Sequence, residues 1–187
     1  MSSIFGVVEI CIIDEWFDVI SISSLLMSHL DLNACLFGVD NYAGYIPLFA
    51  NRGLPYDRSL TISDQAEHRV TDRNAPSWVL WNELKAVDWD EEATGRDQRI
   101  TEFALEDGKE IVVNKWLNRS PEDDWIREVL DRNPEEVIRT ETRIFRRVVL
   151  KRRDCLLDTD FPLLMNMMAL LAGRFGDSNV RLVVWFD

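Results

Sequence analysis

The chain has 187 residues, 47% of them hydrophobic and 29% charged, which is enough apolar mass to build the core of one ordinary domain. Its 33 acidic residues exceed its 21 basic ones, for a formal net charge of -12, and acids and apolar residues interleave throughout, so no disordered acidic tail explains the excess. A surface of that sign excludes a general binder of duplex nucleic acid, which needs a basic face against phosphate, and a protein that docks on an anionic membrane.

Residues Ile4 to Ile13 are rich in Val and Ile and predict a first strand. With no basic region ahead of it and Glu9 inside its apolar run, this start does not read as a secretory leader. Trp16 to Ile22 is expected to pair with it after a turn at Asp14-Glu15. Ser23 or Ser24 then suits the N-cap of a short helix carrying Leu25, Leu26 and Leu30, and Cys35-Leu36-Phe37-Gly38-Val39 reads as another apolar strand. From Asp40 to Arg58 the chain turns to Asn, Gly, Pro and Tyr with no sustained period, which marks a long loop.

Thr61 to Val70 is polar and predicts a short surface helix. Ser77 is a good N-cap for a helix through Trp78, Leu80, Trp81 and Leu84, ended by Asp88-Trp89-Asp90-Glu91-Glu92. Arg99 to Leu105 and Glu110 to Leu117 flank Asp107-Gly108, a pair suited to the two positive φ angles of a tight hairpin turn. Ser120-Pro121-Glu122-Asp123 predicts a helix start, with the helix running to about Arg132. Val137 to Lys151 alternates like a long strand. Asp160 and Pro162 open a last helix through Leu171, stopped by Gly173 or Gly176, and Val180 to Phe186 is a closing strand. No repeat or low-complexity linker interrupts the chain. The expected fold is therefore a single α+β domain over residues 1–187, with a mixed or mainly antiparallel sheet packed by a few short helices.

Cys11, Cys35 and Cys155 are odd in number and isolated along an apolar sequence, so a disulfide framework and a zinc or redox motif are not expected and a reduced, cytoplasmic setting is. The longest late apolar stretch, Phe161 to Leu171, is too short to span a bilayer, which takes about 20 residues. The two histidines, His29 and His68, read as packing or surface residues. The motifs of serine hydrolases, zincins, P-loop NTPases and dinucleotide-binding folds are missing from the sequence.

Three features invite a function. The Asp40 to Arg58 loop gathers Tyr42, Tyr45, Phe49 and Tyr56 with Arg52 and Arg58, and Arg52 is the first basic residue of the chain. Aromatic faces and guanidinium groups together suit a flat anionic ligand, while the same residues also suit a loop packed on its own sheet edge. Arg139, Arg143, Arg146, Arg147, Lys151, Arg152 and Arg153 form a basic strip that either pairs with the chain's own carboxylates or receives an anion. Trp78, Trp81 and Trp89 suit a core or a partner surface. Carboxylate groups at Asp14/Glu15/Asp18, Asp88/Asp90/Glu91/Glu92 and Asp154/Asp158/Asp160 contain D-x-D pairs of the kind that hold hard cations.

Leu36-Phe37-Gly38-Val39-Asp40-Asn41-Tyr42-Ala43-Gly44, Arg52-Gly53-Leu54-Pro55, Ser77-Trp78, Glu83-Leu84, Asp88-Trp89 and the ending Val180-Arg181-Leu182-Val183-Val184-Trp185-Phe186-Asp187 resemble a group of small uncharacterised proteins of bacteria and their phages. The resemblance covers most of the chain and carries no catalytic residue. It implies a cytosolic protein of a kind that often acts as an immunity protein, an inhibitor or a decoy.

Three functional expectations follow. The first is a non-enzymatic protein that captures a nucleotide-like or other anionic small ligand, with Tyr42, Tyr45, Tyr56 and Trp78 stacking and Arg52, Arg58 and Arg147 holding the anion, without cofactor or metal. The second is an acidic inhibitor or immunity protein that binds a basic toxin, nuclease or effector. The third is a Mg²⁺-assisted hydrolase built on Asp88 and Asp90 or on Asp158 and Asp160.

Overall fold

The computed structural model describes residues 2–23, 25–26, 29–69, 76–117 and 124–186. Ser24, the Ser120-Pro121-Glu122-Asp123 cap and the His68 side chain lie outside the described residues. The fold is α+β, and every strand pairing is antiparallel. Strands divide between two four-stranded sheets, each in its own compact unit. The first unit is drawn from residues 1–41, 46–91 and 152–187, the second from 42–45 and 92–151.

In the first unit β1 (Ile4–Ile12) and β2 (Glu15–Ser21) form the expected hairpin, and the sheet runs β2, β1, β8 (Val180–Phe186), β3 (Ser77–Leu80). The apolar run of β8 reflects its place between two neighbours, and all seven of its residues are buried. Gly6 is required where β1 passes β8, because a Cβ there would stand 2.2 Å from the Val183 carbonyl oxygen.

Three expectations in this unit are corrected. The Leu25 and Leu26 N–H groups both donate to the Ile22 carbonyl outside any helix, and the helix α1 is Leu30–Phe37, with His29 and not Ser23 at its N-cap position. Cys35 to Phe37 therefore end a helix and are not a strand. A short, wholly buried apolar run has no period that separates the two, and Gly38 at φ 78 supplies the left-handed stop, its N–H donating to the Ala34 carbonyl. Ser77 to Leu80 likewise form β3 rather than a helix, because they complete the ladder of β8 before one helical turn, α3 (Trp81–Leu84). The polar helix α2 (Leu60–Arg69) forms as expected and buries Ile62 against Val7 and Val183. The last helix, α5 (Phe161–Phe175), runs through Gly173 to stop at Gly176 and packs on β1 and β8.

The second unit holds β4 (Ile100–Glu106) and β5 (Lys109–Trp116), joined at Asp107 (φ 50) and Gly108 (φ 76) as the dipeptide predicts. Helix α4 (Asp124–Arg132) presses Ile126 and Leu130 onto Ile100, Ile138 and Phe145. The long strand expected over Val137 to Lys151 is broken. β6 (Ile138–Arg139) and β7 (Arg143–Arg146) fold back on each other, since Thr140 turns the chain by accepting the Arg143 N–H on its hydroxyl. The sheet order is β5, β4, β7, β6.

Both long edge strands carry one residue more than their partners. Val19 is skipped between the Val8–Ile20 and Glu9–Asp18 pairs, and Val113 between Glu102–Asn114 and Phe103–Val112. These are β-bulges.

Candidate functional site: an acidic cleft at the first hairpin

Alternation along β1 puts Glu9 on the same face as Val7, and its cross-strand partner in β8 is Arg181. Both side chains are buried. Arg181 Nε donates to Glu9 Oε2 at 2.6 Å and its Nη1 to Asp57 Oδ1 at 2.7 Å, and its guanidinium lies 3.7 Å from the centroid of the Trp16 ring. Trp16 Nε1 donates to the other Asp57 oxygen at 2.9 Å, and the Ser59 N–H donates to Glu9 Oε1 at 2.8 Å. This buried network ties the β1–β2 hairpin to the end of the long loop. Burial opposes ionisation of Asp57, but the hydrogen bond and charge of Arg181, with the Trp16 N–H, outweigh it and hold the carboxyl below its usual range.

Above the network lies a cleft of about 570 Å³, walled on one side by Asp14, Glu15, Trp16, Phe17 and Asp18 and on the other by Asp57 through Thr61. Its wall holds four carboxylates (Asp14, Glu15, Asp18 and Asp57) against one cation, Arg58. Asp18 accepts the Thr61 hydroxyl, and the buried Ser59 Oγ makes no hydrogen bond among the described residues. At the hairpin tip Ile13 and Asp14 take φ 51 and 64, so the two-residue turn that suits Asn-Gly is made here by a β-branched residue. Ile13 is 92% exposed and borders, with Ile12, Glu15 and Phe17, a second shallow hollow.

The predicted ligand residues divide between the two units. Tyr42, Tyr45 and Arg147 belong to the second unit, where Tyr45 is buried with its hydroxyl on the Lys151 carbonyl and Arg147 pairs with Asp131. Tyr56 is almost wholly exposed, and Arg58 lines the acidic cleft while donating to the Pro55 carbonyl. Within the first unit Arg52 and Trp78 meet. The Arg52 guanidinium stands 5.3 Å from the Trp78 ring and 5.0 Å from Phe49, and it is gripped at both nitrogens by Glu83 at 2.8 and 2.9 Å.

The basic strip is occupied in the same manner. Arg139 and Arg146 pair with Glu110, Arg143 with Glu102, Arg152 with Glu91 and Arg153 with Asp90. Among the described residues no three His, Cys, Asp or Glu side chains are grouped to hold a metal ion, and no helix is long and apolar enough to cross a membrane. Asp88 turns its carboxylate onto the Asp90 N–H. Trp78, Trp81 and Trp89 are each half-buried.

The Arg52–Glu83 pair has a measurable signature. The Arg52 hydrogen bond, with the Leu80 N–H, lowers the Glu83 pKa. A group lowered on folding contributes its full stability above its unfolded value, near about 4.3, and loses it as pH falls through the folded value. Glu83→Gln is expected to cost about 1 kcal/mol at neutral pH. Urea melts from pH 7 downward should show that difference close in acid.

Comparison with protein-family models, with curated proteins and with solved structures returns no significant match to this chain.

Proposed function

We propose that this is a non-enzymatic binding protein of the inhibitor type, which captures a basic protein partner at the β1–β2 hairpin and its acidic cleft. The observation that carries this reading is the hairpin tip: an exposed, backbone-strained Ile13 beside a cleft with four carboxylates and one guanidinium. Backbone strain in a β-branched residue at a solvent-exposed turn does nothing for folding, and a glycine there would avoid it. An apolar knob next to Asp14, Glu15 and Asp18, on a wall whose fourth carboxylate, Asp57, is held by Arg181, matches a partner that offers an apolar pocket rimmed by Lys or Arg. The net charge of -12 adds long-range attraction to such a partner. Capture of a small anion by the predicted arginines has less support, because Arg52 and Arg147 already hold carboxylates.

The test uses a labelled peptide alternating arginine with leucine, followed by anisotropy and stopped flow. The wild-type protein should bind it with a strong salt dependence. Asp14→Lys/Glu15→Lys should slow association about tenfold. Ile13→Gly should raise folding stability by about 1 kcal/mol by releasing the left-handed strain, yet weaken the complex about tenfold. Equal binding by both variants, or calorimetric heat from mononucleotides with none from the peptide, would overturn the proposal.

A further inference from the structure

Cys35 and Cys155 are isolated in sequence but sit on two elements that pack together. The short 3₁₀ helix Arg152–Leu156 packs directly on α1, and both thiols are buried at that contact. Arg152 completes the group. The residue is 2% exposed, and its guanidinium donates to Cys35 Sγ at 3.7 Å, to the Ile46 carbonyl at 3.0 Å and to Glu91 Oε2 at 3.1 Å. A buried cation needs compensating negative charge, and Glu91, its carboxylate partner, is half in solvent. A sulfur facing the same guanidinium is the nearby group able to supply more.

From this arrangement we propose that Cys35 and Cys155 are a redox modification site, closing a reversible disulfide between α1 and the 3₁₀ helix with a hydroperoxide as oxidant and Cys35 as the attacking sulfur. The Cys35 thiolate attacks one peroxide oxygen; the S–O bond forms, the O–O bond breaks, and the departing alkoxide or hydroxide takes a proton from solvent. The Cys155 sulfur then attacks the Cys35 sulfenic acid. The S–S bond forms, the S–O bond breaks, and the hydroxide leaves as water with the Cys155 proton, so the dithiol loses two electrons and two protons while the peroxide is reduced. The division of roles has a physical cause. The hydrogen bond from Cys155 and the charge and hydrogen bond of Arg152 hold Cys35 below the usual thiol range, whereas the same shared hydrogen bond and burial push Cys155 up. Access comes through the 3₁₀ helix, a five-residue element beside the exposed Arg153 and Leu157, whose local opening does not require the sheet to unfold.

The experiment is to treat the folded, reduced chain with hydrogen peroxide, block free thiols, and map peptides by mass spectrometry. The expected product is a Cys35–Cys155 linked peptide that has lost two hydrogens, returned to the dithiol by reductant and formed equally in Cys11→Ser. In Cys155→Ser a dione probe should trap sulfenic acid at Cys35, and in Cys35→Ser it should trap none at Cys155. Oxidation of Cys11 with no linked peptide would overturn the proposal, as would a link that forms only in denaturant. Should Cys155→Ser fail to fold, the mapping of the wild-type chain decides alone.

Discussion

Replacing Arg181 by Met is expected to lower the stability of the first unit by about 3–5 kcal/mol, the usual cost of stripping one partner from a buried ion pair. The change leaves Glu9 in the centre of the sheet with no counter-charge, its one remaining donor among those described being the Ser59 N–H. It also removes the group that holds Asp57 and stacks on Trp16. Urea denaturation followed by tryptophan fluorescence measures the loss. The double replacement Glu9→Leu/Arg181→Leu should be less damaging than Arg181→Met alone, by at least about 1 kcal/mol, since an apolar pair fits a site from which water is excluded. A double variant as unstable as the sum of its parts would mean that the network contributes mainly by anchoring the 57–61 segment.

Asp97→Ala should bring a loss of similar size, about 3 kcal/mol or more, in the second unit. Asp97 is fully buried and accepts from the Arg99 side chain at Nε and Nη2, and its Oδ1 also receives the Arg99 N–H. Removing the carboxylate withdraws the counter-charge from a guanidinium that is itself buried, and frees a backbone donor where β4 begins. Circular dichroism melts of the variant, compared with Asp97→Asn, separate the two effects: Asn keeps an acceptor for the N–H but not the charge, so its loss should be the smaller by about 1 kcal/mol.

These two pairs show where sequence reasoning reaches and where it stops. The hairpin at Asp107-Gly108, the terminal strand and the last helix were legible because their signals are local: turn chemistry, a proline and a run of apolar residues. Cys35 to Phe37 and Ser77 to Leu80 were not, because their state is decided by neighbours distant in sequence, a buried packing layer in one case and the free edge of β8 in the other. The acidic cleft was half legible. Asp14, Glu15 and Asp18 stood out as a cluster, but nothing in their spacing brings Asp57 to Thr61 opposite them; that needs the Glu9–Arg181 pair, 172 residues apart. A signal for it existed, one acid in the apolar run of β1 and one base in the apolar run of β8. The arginines were ambiguous for an equally physical reason. A guanidinium that will hold a ligand and one that already holds a neighbouring carboxylate have the same composition signature.

The skipped valines on β2 and β5 bear on how this chain behaves at high concentration. An outer strand such as β5, with Leu105, Ile111 and Val112 facing solvent nearby, is otherwise a template on which another copy could lay a strand and propagate. The extra residue breaks the run of evenly spaced donors and acceptors and twists the margin out of plane, so an incoming strand meets a ladder it cannot follow. Each sheet is thereby kept finite.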